Sequence, residues 1–171
     1  MIGVSIPNIV DVLNVDRQFW LDAANQTVRS YCGWHISPVI VQEFEMDGDG
    51  SKTLMLPTMK LGQVIACTSD GVDVLSLIRK SNKGMLELSR GRWSCELGGI
   101  VLTVSHGYEI VPADVAGIIA GLASRAGSSP AGIVSQTVGP ASVRYGTVGG
   151  VAAGIPLLQS EKDSLDPYRV R

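Results

Sequence analysis

The side chains best able to do chemistry in this 171-residue chain are two histidines, His35 and His106, and three cysteines, Cys32, Cys67 and Cys95. Either imidazole could act as a general base if a nucleophile lay near it in space, and a cysteine or carboxylate could be that nucleophile. Each histidine stands alone in sequence, however, and a histidine at an element boundary is more often a hydrogen-bonded structural group. The cysteines are odd in number, widely separated, and never form the Cys-x-x-Cys pair of a zinc or redox site. They read as reduced, buried thiols. No Gly-x-Ser-x-Gly elbow, P-loop or dinucleotide fingerprint occurs. Gly146-Thr147-Val148-Gly149-Gly150 is glycine-rich but lacks the lysine that phosphate cradling requires. Asp47-Gly48-Asp49-Gly50 resembles part of a calcium loop, but no glutamate closes it at the twelfth position, so a plain turn is expected. Glu43 and Glu45 fall on one face of a strand, as on a solvated edge. No catalytic residue, cofactor or metal site is expected.

The bulk numbers agree with one globular domain having a proper core. Apolar residues make up 45% and charged residues 18%, and there are 20 glycines. Charge is below the usual quarter or so and glycine above its usual share. Such a surface suits either a loop-rich small protein or a subunit that hides part of itself in an assembly. With 14 basic and 16 acidic residues the net charge is −2. Tight binding to nucleic acid needs a basic excess, so it is not expected. A channel wall past which DNA slides would also avoid a basic surface. The opening Met1-Ile2-Gly3-Val4-Ser5 lacks the basic start and apolar run of a signal peptide, and no stretch of about 20 apolar residues could span a bilayer.

The elements that must position these groups follow from periodicity. A short helix is expected over Asn8–Val15. Asp16 then caps a second helix in which Trp20, Ala23, Ala24, Thr27, Val28 and Tyr31 recur at three- and four-residue steps. Gly33 stops it and Pro38 prevents a restart. From 39 to 108 the pattern is that of short strands. Val39–Glu45 and Thr53–Leu56 are read as a hairpin around the Asp47–Gly50 turn. Further strands are expected at Gly62–Thr68, Val74–Ile78, Met85–Leu88 and Ile100–Ser105, with turns at Asn82-Lys83-Gly84 and Ser89-Arg90-Gly91. Pro112 opens another helix with an apolar stripe of Val115, Ile118, Ile119, Leu122, Ala123 and Ala126. Gly117 and Gly121, four apart, suggest that another backbone packs closely there, from the same chain or, as the alternative, from a neighbouring subunit.

Residues 127–154 are dominated by Gly, Ala, Ser, Thr and Val. Ile133–Val138 and Ala141–Tyr145 look like two strands around Gly139-Pro140, a hairpin only marginally stable by itself. The sheet of a neighbouring subunit would supply its missing ladder partners; a flexible arm is the alternative. A short terminal helix or arm, Leu157–Tyr168, precedes Arg169-Val170-Arg171. The expected fold is α+β: a small helical bundle with an antiparallel β-sheet and hairpin region inserted at about 39–108, and an extended C-terminal arm. Residues 1–126 form the core and 127–171 the arm.

One further signal is spread over the chain. Trp20–Pro38, which contains Ala23-Ala24, Val28-Arg29-Ser30-Tyr31-Cys32-Gly33-Trp34-His35-Ile36 and Pro38, resembles the opening helix and exit of actinobacteriophage head-to-tail adaptors. The likeness continues through Leu54–Thr58, Gly91-Arg92-Trp93, Val104-Ser105-His106-Gly107-Tyr108 with Pro112–Val115, Val138–Gly146, and Leu165-Asp166-Pro167-Tyr168-Arg169. The blocks keep their order; residues 71–88 are the least similar part. The resemblance implies a non-enzymatic virion protein made in the bacterial cytoplasm. It implies a homo-oligomeric ring, usually a dodecamer, docked on the portal protein, through which DNA passes and on which the next connector, stopper or tail protein docks, with no membrane partner. By this analogy Leu165, Tyr168 and Arg169 would dock on the portal, and Val134, Val138, Val143, Arg144 and Tyr145 would pair subunits. Two other readings stand beside it: a tail completion or other virion connector protein, and a small cytosolic enzyme using His35 or His106.

Overall fold

A computed structural model describes residues 16–128, 135–138, 141–144, 147–148, 151–152 and 156–170. The helix expected over 8–15 lies outside the described residues, as do Val134 and Tyr145.

Helix α1 spans Arg17–Cys32. Its start is set as the sequence suggests: the Asp16 carboxylate accepts the Phe19 amide at 2.8 Å, satisfying one of the orphan N–H groups of the first turn. Ala24, Val28 and Cys32 are buried at four-residue steps. The Gly33 amide closes the last turn on the Arg29 carbonyl.

The strands between residues 40 and 106 form two antiparallel sheets over one core. The first has the order β1 (Ile40–Met46), β7 (Ile100–His106), β3 (Leu61–Ser69), β4 (Val72–Asp73). The second has the order β2 (Thr53–Met55), β6 (Met85–Leu88), β5 (Ile78–Lys80). Ile100, Leu102 and Val104 alternate inward along β7 and meet Leu54, Leu56, Leu86, Leu88 and Trp93. That period of two is what a half-buried strand dictates.

The hairpin expected between β1 and β2 does not form. β1 pairs with β7, with Ile40 opposite His106 and Met46 opposite Ile100, while β2 pairs with β6. The Asp47–Gly50 segment passes from one sheet to the other. Gly48 and Gly50 donate to the carbonyls of Glu96 and Ser94, and a β-carbon on Gly48 would fall inside the Ser94 carbonyl. Glycine is there for close approach. The expected strand at Val74–Ile78 is also broken: the Asp73 carboxylate accepts the Leu75 amide at 2.9 Å, and Leu75–Leu77 turns as a 3-10 helix before β5. The Asn82–Gly84 turn does join β5 to β6.

Helix α2 spans Ala113–Ser128, with Pro112 as the residue whose carbonyl accepts its first bond, from Ala116. Val115, Leu122 and Ala126 are buried along the expected stripe. Nothing among the described residues packs on Gly117, and Gly121 meets only the Arg125 side chain. The close internal backbone contact expected at this glycine pair is therefore absent from the described residues.

β8 (Ser135–Val138) and β9 (Ala141–Arg144) pair as expected, Ser135 opposite Arg144. The short pair β10 (Thr147–Val148) and β11 (Val151–Ala152) was not foreseen. Helix α3 spans Gln159–Leu165 and continues as a 3-10 turn over Asp166–Tyr168. The contacts divide the chain into two units, one of Met1–Gln26 with Ile119–Pro156 and one of Thr27–Ile118 with Leu157–Arg171. The helix-and-sheet mixture is as expected from the sequence. Of residues 127–171, expected to extend as an arm, those up to Pro156 belong to the first unit and Leu157–Arg171 to the second, where Leu165 is fully buried.

Candidate functional site

Three stretches of the second unit meet at one place: the exit of α1, the end of β7 and the segment after α3. The alternation that buries Ile100, Leu102 and Val104 continues to His106, which is 2% exposed. The chain leaving α1 brings His35 against it, ring centroids 4.4 Å apart and edge to face. Trp34, Phe44 and Tyr108 close the cluster, at 6.5 and 5.5 Å from His106 for the first two and 6.0 Å between Trp34 and Tyr108.

Backbone constraints fix this arrangement. Arg29, in the last turn of α1, donates to the carbonyls of His35 at 3.2 Å and Ser37 at 3.4 Å. Tyr108 donates its amide to the Ile36 carbonyl at 2.8 Å, and the Ser37 hydroxyl donates to the Tyr108 carbonyl at 3.1 Å. Ile36 sits at φ +66°, a left-handed conformation that costs a β-branched residue about 1–3 kcal/mol. Its nearly complete burial and these bonds offset that strain. Gly107, at φ +115°, runs so close to Pro38 that a β-carbon there would overlap the Pro38 carbonyl and come within 2.6 Å of His35 Nε2. Both conformation and space demand glycine.

The C-terminal segment is clasped by the same residues. Trp34 Nε1 donates to the Tyr168 carbonyl at 2.6 Å. The Tyr168 hydroxyl donates to the Asp114 carboxylate, 2.9 and 3.1 Å from its two oxygens. The Tyr31 hydroxyl donates to Asp166 at 2.7 Å, Arg169 lies over the Tyr31 ring at 5.3 Å, and the Val170 amide donates to the Cys32 carbonyl at 2.9 Å. Burial, and then the bond to Asp114, push the Tyr168 hydroxyl up to about 12. The bond to Asp166 raises Tyr31 as well. Both hydroxyls stay protonated donors.

This chemistry holds structure together. His35 Nε2 lies 2.7 Å from the Pro38 carbonyl and His106 Nε2 lies 3.1 Å from the Gln42 amide oxygen. Burial, with a smaller contribution from His35, drives His106 down to about 4, so it is neutral and a weak base at neutral pH. The nearby Cys32 thiol is pushed up to about 11 by burial, which withholds the thiolate a nucleophile needs. Cys67 is likewise raised to about 11. Among the described residues no group of three His, Cys, Asp or Glu side chains could hold a metal, and no helix is long and apolar enough to cross a membrane.

The site residues expected from the sequence separate here. Tyr168 and Arg169 belong to the clasp, Arg169 with its side chain exposed. Leu165 is a core residue at 0% exposure, so in this conformation it has no surface to offer a portal. Val138, Val143 and Arg144 lie in the β8–β9 ladder. Trp34, Asp114, Tyr31 and Asp166 were not singled out, although Trp34, Tyr31, Asp114 and Asp166 all lie in the blocks that carry the adaptor resemblance.

Comparison with solved structures places this architecture. One chain from the neck of an empty GTA (gene transfer agent) particle, computed with C6 symmetry, superposes over 91% of this chain and 78% of its own at a TM-score of 0.57. Another, from the neck of a native GTA particle computed with C12 symmetry, covers 91% and 82% at 0.56. The fold is one found in particle necks. Sequence identity to each neck chain is 15%. Neither a protein-family model nor a curated protein matches the sequence.

Proposed function

We propose that this chain is a non-enzymatic structural subunit of a head-to-tail connection, an adaptor that forms a ring below the portal of a tailed phage or phage-like particle. In that place it extends the DNA channel and gives the next connector or tail protein a platform. The observation that carries this reading is the neck-chain fold over nine-tenths of the molecule. The order of the adaptor-like blocks supports it independently, because three of them converge on the clasp. The net charge of −2 suits a channel through which DNA slides without adhering. The six- and twelve-fold symmetry of the two neck assemblies favours a ring, the dodecamer among its candidates. In this reading Val134, Val138, Val143, Arg144 and Tyr145 pair subunits, and Tyr168 and Arg169 face the portal. The histidine pair is a packing unit, with neither imidazole beside an ionised nucleophile among the described residues.

The test is to mix the purified chain with the portal protein of its own particle and image the product. A ring of this chain on the portal is expected. Failure to associate with the portal, together with absence from the head-to-tail junction of intact particles, would remove the proposal.

A further inference from the structure

β1 ends its sheet. It pairs with β7 from Ile40 to Met46, and no described strand lies on its other side. An antiparallel strand leaves about half of its amides and carbonyls pointing away from its partner, so this edge is an open ladder. Val41 beside it is 63% exposed. Its only charges are Glu43 and Glu45, on one face, exposed, and neither has a hydrogen-bond or ion-pair partner among the described residues. Two carboxylates oppose pairing of this edge with a copy of itself, since like charges set opposite one another repel. They admit a strand that brings a cation.

The chain carries such a strand pair. β8 and β9 make a two-stranded sheet with no further described partner, an arrangement only marginally stable alone. From Gly127 to Ser160 the sole charged residue is Arg144, the last position of β9. The other open edges fit it less well. β2 and β5 have three residues each and β4 two; β2 carries no charge, and β5 carries Arg79 and Lys80, which would repel Arg144.

We propose that β1 is the acceptor edge of a head-to-tail contact: it receives the β8–β9 hairpin of a second copy of this chain, β9 alongside β1, with Arg144 of one copy matched to Glu43 and Glu45 of the next. The inference rests on the ring reading above and names the surface that closes it. Donor and acceptor are different surfaces, so each copy can give one hairpin and take one, which propagates around a ring when the rotation closes. Strand addition supplies backbone hydrogen bonds, and the charge match selects the edge and register.

A charge swap in the full-length chain tests this, read as the concentration for half-maximal ring formation, alone and on portal. Arg144→Glu and the double variant Glu43→Lys/Glu45→Lys should each raise that concentration about ten-fold or more, and combining all three changes should return it to within about three-fold of the unmodified chain. Circular dichroism and thermal midpoints of the unassembled variants check that all remain folded. Rings formed by both charge variants at the unmodified concentration overturn the acceptor edge and leave the ring reading standing. Loss of rings in both without rescue in the combination overturns it too, since the charges would then act at separate places. If the unmodified chain forms no ring with or without portal, the ring reading fails and this contact fails with it.

Discussion

Trp34 holds Tyr168 across 134 residues of chain: the indole N–H reaches the Tyr168 carbonyl at 2.6 Å, joining the exit of the first long helix to the C-terminal turn. The last described residues are therefore part of the second unit's structure. Replacing Trp34 with Phe keeps an aromatic ring but removes the donor and leaves the carbonyl without it. A loss of about 1–3 kcal/mol is expected. Hydrogen exchange should locate it: the Val170 amide, which bonds to Cys32, should exchange faster while the β7 amides keep their protection.

Burial and exposure within the same segment predict opposite costs. Leu165→Ala should destabilise the protein by about 2–5 kcal/mol in thermal or denaturant unfolding, because a fully buried leucine leaves a cavity. Arg169→Ala removes an exposed stacking contact over Tyr31 and should cost at most about 1 kcal/mol. If the portal is met at this end, Arg169→Ala should weaken portal binding while leaving the unfolding midpoint almost unchanged.

His106 should make stability depend on pH. Its folded value of about 4 lies below its ordinary 6.5, so between those values the unfolded chain binds the proton more readily. The stability is present in full above pH 6.5 and falls as pH drops through the window toward 4, with a slope of at most about 1.4 kcal/mol per pH unit. His106→Gln should flatten that part of the profile. An unchanged slope in the variant would assign the acid sensitivity to other groups.

The three thiols should divide by reactivity. Cys95 is exposed, whereas Cys32 and Cys67 are buried and held near 11. A thiol reagent at neutral pH should label one cysteine in the folded protein and all three after unfolding. Rapid labelling of Cys32 in the folded state would mean that the clasp opens readily.

What could be read from the sequence was local. The Asp16 cap and the Trp20, Ala24, Val28 spacing specify α1 within four residues of each position, and the alternation of Ile100, Leu102 and Val104 specifies β7. The Asp47–Gly50 turn misled because turn chemistry reports a change of direction without naming the partner. Ile40 pairs with His106, far along the chain, and the glycines are used for passage beside Ser94. The strand at Val74–Ile78 failed for a local reason, the Asp73 side chain competing for the backbone. The residues of the clasp stood in the adaptor-like blocks, but their convergence is a long-range property of Trp34, Tyr108, Asp114 and Tyr168. No spacing rule connects them.

The most direct measurement for the central claim is cryo-electron microscopy of the head-to-tail junction in particles that carry this chain. The account predicts a closed ring of this chain directly below the portal, with the Trp34–Tyr168 clasp intact in each copy. A junction reconstructed without density for this chain would contradict it.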